Sequence, residues 1–345
     1  MKRSYVVTLI LNHYPYLKFH DVVSRLQSSS YVSLPRRYLY WAIPKAACTT
    51  MKEVLHTVED LPPIQFFVDS LRETRRDMFI HARENMPMPS LVDLDDRTQR
   101  DVLESPDFLR MTVVRNPYAR LVSAWRNRVL LCEPWLERLY LEIRGQLPGP
   151  DQKSLLSFEE FLDYVSRCDL RTCNGHWARQ VDRLFLKAIH FNHIGKVERM
   201  SETWQRFQQH LRTSDPLPVS SKNVSVSAPA AEFTEALASK IYSLYQADFE
   251  AFGYDRNSWP KPREHSDPSR NGSMVPEAKF IDEIIERNLV ISYLYQERDR
   301  LRAQLQRTPS ALFRRFCNKL RRRVRNLPFR GLRALGRNIV CERVK

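Results

Sequence analysis

The chain has 345 residues, 43% of them apolar, with 55 Lys/Arg against 40 Asp/Glu and a formal net charge of +15. That length buries a full core, enough for one large α/β domain with an appendage. The absence of any run of about 18 apolar residues excludes a membrane-spanning helix, and the six cysteines match no zinc-ligand spacing.

The charge is unevenly placed. Residues 256–345 hold 22 Lys/Arg and 9 Asp/Glu, so the basic character belongs to the C-terminal part and says little about chemistry upstream. The N-terminal apolar run, residues 5–11, is broken by Asn12 and His13 without a small-residue cleavage site. With sparse cysteines, this leads us to expect a soluble, cytoplasmic protein in a reducing compartment.

Residues 1–37 read as a strand over 5–11 and a helix, neither carrying evident chemistry. Residues 38–43, Tyr-Leu-Tyr-Trp-Ala-Ile, are aromatic and β-branched as in a buried strand, and Pro44 ends it by removing a ladder donor. Thr50 with Glu53 three residues on has the form of a capping box, which predicts a helix from about Met51. The segment between, Pro44-Lys45-Ala46-Ala47-Cys48-Thr49-Thr50, aims amides and the positive end of a helix dipole above the strand. An anion is its natural occupant. It contains no glycine, so it is not a Walker A loop. Lys45 suits either a ligand-facing role or that of a solvated strand-end lysine.

The predicted helix ends before Leu61-Pro62-Pro63. Residues 66–88 alternate apolar and charged positions and include His81, a packed or solvated residue if not a catalyst. Residues 108–128 then read as strand, cap and helix. Asn116 is a good N-cap and Pro117 suits the first helical position, leaving Arg115 at the carboxyl end of the strand. Arg120 and Ser123 share one helical face. A guanidinium from the strand end and the Ser123 hydroxyl can converge on one phosphate.

Residues 145–155 read as a Gly/Pro-rich loop, and 157–168 as a helix with its apolar face at Phe158, Phe161, Leu162 and Val165. Asn174-Gly175-His176-Trp177 brings a second histidine. Residues 189–194 predict a strand running into Gly195-Lys196-Val197-Glu198, and 234–252 an amphipathic helix closed by Gly253. Residues 256–275 read as a linker. Residues 276–307 are helical with an interrupted heptad seam, which suits a short homodimer coil or a helix packed on the main domain. Residues 308–345 hold 12 Lys/Arg against Glu342 alone, a solvated tail or a contact for an anionic membrane or nucleic acid.

Pro44-Lys45 running on to Cys48-Thr49 resembles the 5′-phosphosulfate loop of the carbohydrate (chondroitin/dermatan-type) sulfotransferases. Arg115-x-Pro117-x-x-Arg120-Leu121-x-Ser123-Ala124-x-Arg126 looks like their 3′-phosphate motif, with Asn116 where that family usually has Asp. His176, Trp177 and Gln180 match a further segment, with Arg179 in place of a proline, and Gly195-Lys196-x-Glu198 matches another. The likeness spans about residues 36–255. It implies an α/β domain over residues 1–255, three-layered around a central parallel sheet of the P-loop type, plus a C-terminal helical extension.

The same resemblance implies transfer of a sulfuryl group from 3′-phosphoadenosine 5′-phosphosulfate (PAPS) to a hydroxyl of a carbohydrate. The amides of Ala46, Ala47, Cys48, Thr49 and Thr50 and the two threonine hydroxyls would hold the 5′-phosphosulfate. Lys45 would stabilise charge on the bridging oxygen, and Arg115 with Ser123 would hold the 3′-phosphate. His81 is the first candidate base and His176 the second, with a carboxylate such as Glu84 behind them. No metal is needed, because cations and amides supply the charge that Mg²⁺ gives to kinases. The rival readings are a P-loop kinase, for which no Walker lysine-serine pair is present, and a nucleic-acid or membrane-surface binder acting through the tail.

Overall fold

Four short strands carry the architecture of this computed structural model, which describes residues 4–64, 80–81, 83–130, 137–145, 156–218, 233–260 and Arg300. Most of the loop at 145–155, the linker beyond residue 260, the helix expected at 276–307 apart from Arg300, and the basic tail lie outside the described residues.

In chain order, helices α1 (Tyr5–His13) and α2 (Phe19–Ser29) precede strands β1 (Ser30–Ser33) and β2 (Tyr38–Trp41). Helices α3 (Cys48–Val58) and α4 (Asp96–Glu104) lead to β3 (Leu109–Val114), then α5 (Pro117–Ala124), which runs on as a wider π turn over Trp125–Leu130. Helices α6 (Glu137–Arg144), α7 (Phe158–Arg167) and α8 (Gln180–Leu184) come before β4 (His193–Lys196). Helices α9 (Met200–Leu211) and α10 (Glu235–Phe252) follow.

The strands lie in the order β1-β2-β3-β4, with β2, β3 and β4 parallel and β1 antiparallel to β2. The sheet is therefore mostly parallel, not wholly so as expected. Its antiparallel edge strand, Ser30-Tyr31-Val32-Ser33, is too short to carry a period-2 signal of its own. Both faces are buried along β1, β2 and β3, and the alternation of side chains along a strand divides them. Leu39 and Trp41 pack with α1, α2 and α4, while Tyr38 and Tyr40 pack with α3 and α9. A third cluster joins α5, α7 and α10 through Tyr118, Phe161, Trp177 and Phe249. Arg110, a charge within the fully buried β3, is satisfied by the carbonyls of His190, Ser105 and Val102.

Two expectations near the N-terminus are corrected. Residues 5–11 belong to helix α1, because Val6, Val7, Ile10 and Tyr14 form one helical face buried in the core. Tertiary packing overrides the β-branched propensity there. Helix α3 begins at Cys48, not Met51, with Ala47 at its N-cap in the left-handed region and no side-chain cap. Thr50 thus sits in the first turn. Among the described residues, no helix is long and apolar enough to cross a membrane.

Candidate active site

Parallel strands present their carboxyl ends, and the loops after them, on one edge of a sheet. Here those ends deliver Lys45 after β2, Arg115 after β3 and Lys196 at the end of β4. The loop after β2 makes its turn without glycine: Lys45 has φ 67° and Ala47 φ 55°. Ala46, fully buried between them, donates its N–H to the Ile43 carbonyl at 3.2 Å. The chain then enters α3, and the first-turn amides of any helix lack intrahelical acceptors. Left-handed non-glycine residues cost about 1 to 3 kcal/mol each and cluster where a fixed shape is required.

Arg115 is held at both its backbone and its side chain. Its N–H donates to Gln180 Oε1 and its carbonyl accepts from Gln180 Nε2, both at 2.9 Å. The buried Asp248 carboxylate accepts the amides of Gln180 and Val181 at 2.9 Å each, so α10 fixes the clamp. Asn116 donates its N–H to Glu198 Oε1 at 3.0 Å, and the other Glu198 oxygen accepts from Tyr254. The Asn116 side chain caps α5 by accepting the Tyr118 N–H, as its sequence position predicts. With the frame fixed, Arg115 Nη1 donates to the Lys45 carbonyl at 3.3 Å, joining the segments after β2 and β3 directly. Ser123 is buried on α5, and its hydroxyl makes no hydrogen bond among the described residues.

Arg120, only 2% exposed, does different work from its neighbours. Its Nε donates to the Pro44 carbonyl at 3.1 Å, Nη1 to Ala178 at 2.8 Å and Nη2 to Gly175 at 2.8 Å. One guanidinium therefore ties the loop after β2 to the segment carrying His176. The sequence motif contained Arg120 but gave no sign of this role. Gln180 was visible as part of a matching segment; Asp248 was not singled out.

The two candidate histidines have opposite tautomers. His81 Nδ1 lies 3.0 Å from Lys52 Nζ, and Nε2 lies 3.0 Å from Thr49 Oγ1. An ammonium only donates, so Nδ1 accepts and Nε2 carries the proton donated to Thr49. His176 Nδ1 lies 2.7 Å from Asn174 Oδ1, an oxygen that also accepts the His176 backbone N–H at 3.0 Å. That second contact identifies it as the amide carbonyl, so Nδ1 is the donor and Nε2 keeps its lone pair.

Both rings are neutral. Loss of hydration around the ring, then Lys52, Arg128 and Lys45, lower the His81 pKa, although the residue as a whole is exposed. Loss of hydration, then Arg128, Lys45, Arg120 and Arg183, hold His176 well below the ordinary range. Lys45 and Arg128 disfavour the protonated form of both histidines. The Glu84 side chain lies outside the described residues. Among the described residues, no cluster of three His, Cys, Asp or Glu is arranged to hold a metal ion.

Human carbohydrate sulfotransferase 14 is 26% identical over 233 residues, covering 63% of this chain and 58% of that protein. Mouse carbohydrate sulfotransferase 12 is 27% identical over 253 residues, covering 65% and 58% respectively. Carbohydrate sulfotransferase 10 of Xenopus laevis is 23% identical over 262 residues, covering 68% and 70%. The chain thus spans less than two thirds of the length of the first two of these relatives. No solved structure matches. The sulfotransferase family model matches residues 32–255, which takes in both phosphate motifs, the His176 segment and all but the first two residues of the sheet. The chain belongs to the sulfotransferase family.

Proposed function

We propose that this protein transfers a sulfuryl group from PAPS to a hydroxyl of a carbohydrate. The observation that carries the reading is the Arg115–Lys45 contact, which sets a guanidinium against a rigid left-handed loop at adjacent strand ends. The names of the relatives support a carbohydrate acceptor. Packing of helices on both faces of the sheet supports a three-layer domain of the P-loop type.

The residues present fit such a donor. The chain offers cations at Lys45 and Arg115, a buried Ser123 hydroxyl with no hydrogen bond among the described residues, and a helix start at Cys48, the complement of a nucleotide anionic at both its 5′ and its 3′ positions. When bound, PAPS supplies an activated sulfuryl group on a phosphate leaving group. In our reading the amides of 46–50, with Thr49 and Thr50, hold the 5′ end, and Lys45 stabilises the negative charge that grows on the leaving oxygen. Arg115 and Ser123 hold the 3′-phosphate. Arg120 keeps the loop and the His176 segment in register.

His176 takes the acceptor's proton in this reading, and His81 does not. The available lone pair on Nε2 of His176 supports the assignment, whereas the His81 lone pair is occupied by Lys52. A base with a lowered pKa is fully unprotonated at neutral pH, so protonation removes activity only at lower pH. Anionic charge placed among Lys45, Arg120 and Arg128 cancels part of the field on the ring and raises its basicity.

Two measurements test this. His176→Ala is expected to lose about 10²- to 10⁴-fold in rate while donor affinity is kept. In the parent enzyme the acid limb of kcat/KM should fall below the ordinary histidine value of about 6.5, and that of kcat above the kcat/KM limb. A limb near 6.5 that survives in His176→Ala would assign the base elsewhere. Arg115→Ala should weaken adenosine 3′,5′-bisphosphate by about 1.5 to 3 kcal/mol, as for a lost hydrogen bond to a charged group. By calorimetry a nucleotide without the 3′-phosphate should bind nearly unchanged, and equal losses for both would remove Arg115 from that phosphate.

A further inference from the structure

Lys52 lies outside both phosphate motifs, yet it is only 3% exposed. A buried ammonium is costly unless something compensates it. Among the described residues no carboxylate pairs with Lys52. Its contacts are the ring of Tyr31, with Nζ 4.9 Å from the centroid, and His81 Nδ1 at 3.0 Å. Arg83 lies over the same tyrosine at 4.7 Å, so the ring serves two cations. The chain thus maintains a buried charge whose one hydrogen bond in this group is to a neutral imidazole.

Thr49 and Lys52 are three apart on α3 and so share a face, and His81 bridges them across that face. The direction of the hydrogen bonds follows from the chemistry. Lys52 donates to Nδ1, which leaves the ring proton on Nε2, which donates to Thr49 Oγ1. A hydroxyl that already accepts from one side has its own O–H left to donate, and a chain of donors polarises each member in turn.

We propose that Lys52 and His81 are positioning residues which orient the Thr49 hydroxyl as a hydrogen-bond donor into the loop that receives the 5′-phosphosulfate. The inference rests on the donor-binding reading of that loop. It gives His81 a role without proton transfer: the ring stays neutral throughout, and the ammonium behind it holds one tautomer in place.

The test uses the full chain labelled with nitrogen-15 at histidine, with His81 assigned through His81→Asn. The expected spectrum has a protonated Nε2 and an unprotonated Nδ1 at His81. Lys52→Arg, which can still donate, should keep that pattern, and Lys52→Met should give a mixture of tautomers. In kinetics, Lys52→Met and Thr49→Val should each lower kcat by roughly tenfold to a hundredfold, the range for one hydrogen bond to a charged group. The double variant should be no slower than the worse single one, because both changes break one chain of contacts.

A parent spectrum with the proton on Nδ1, or losses that multiply in the double variant, would overturn the proposal. Should Lys52→Met fail to fold, the parent spectrum and the His81→Asn, Thr49→Val pair decide it in the same way. If no donor yields sulfuryl transfer but the Nε2–H tautomer is present, the functional reading fails while the hydrogen-bond relay is supported. An active enzyme with Nδ1–H overturns the relay alone.

Discussion

Lys45→Ala is expected to lower turnover by about 10²- to 10³-fold, the scale for removing one preorganised charge-stabilising group. Binding of adenosine 3′,5′-bisphosphate should be largely kept. The loop's shape does not depend on the ammonium, because it is set by the φ of 67° at residue 45, by the Ala46 contact to Ile43 and by the Arg115 contact to the Lys45 carbonyl. Alanine meets the same left-handed demand as lysine, so the substitution removes charge and little else. An interaction made mainly in the transition state lowers kcat and kcat/KM together. Single-turnover kinetics beside calorimetry of the bisphosphate would separate the two effects. A loss of nucleotide affinity as severe as the loss of rate would mean that Lys45 is a binding group only.

Arg120→Met should have the largest effect on stability. The guanidinium caps three carbonyls from two distant segments, and each carbonyl left buried without a donor costs about 1 to 3 kcal/mol. Two of the three contacts are partly accessible to water, so a total of about 3 kcal/mol is expected, or roughly 6 to 12 °C in melting temperature for a domain of this size. Methionine fills much of the volume, which separates the lost hydrogen bonds from a lost side chain. Arg120→Lys should rescue little, because an ammonium cannot reproduce the planar fork that meets carbonyls on separate segments. Calorimetric melting of the three proteins checks the order, and an Arg120→Met protein that melts with the parent would show that water replaces the guanidinium.

The parts of this fold that could be read in advance are those whose partners are close in sequence. Asn116 caps the amide two residues on, Ser157 and Glu160 close a capping box, and Gly253 ends α10 in the left-handed region. The N-terminus of α1, by contrast, is capped by Asp96 and Gln99, 91 and 93 residues away. No local pattern carries that information, and an apolar run of β-branched residues read alone gives a strand. The same division runs through the site. Lys45, Arg115 and Ser123 stand in motifs that can be seen in the chain, but the carbonyls that define Arg120 lie 55 to 76 residues from it. The histidines divide likewise: Asn174 is two residues from His176, whereas Lys52 is 29 residues from His81.

The glycine-free loop at Lys45 and Ala47 sets stability and function against each other. A glycine at either position would relieve the steric cost of a positive φ, so a search for more heat-resistant variants would favour it. It would also remove the Cβ that limits how far the loop can stray. Laboratory evolution for heat tolerance would therefore select a softer cradle at a place where the chain gives up free energy to keep a hard one.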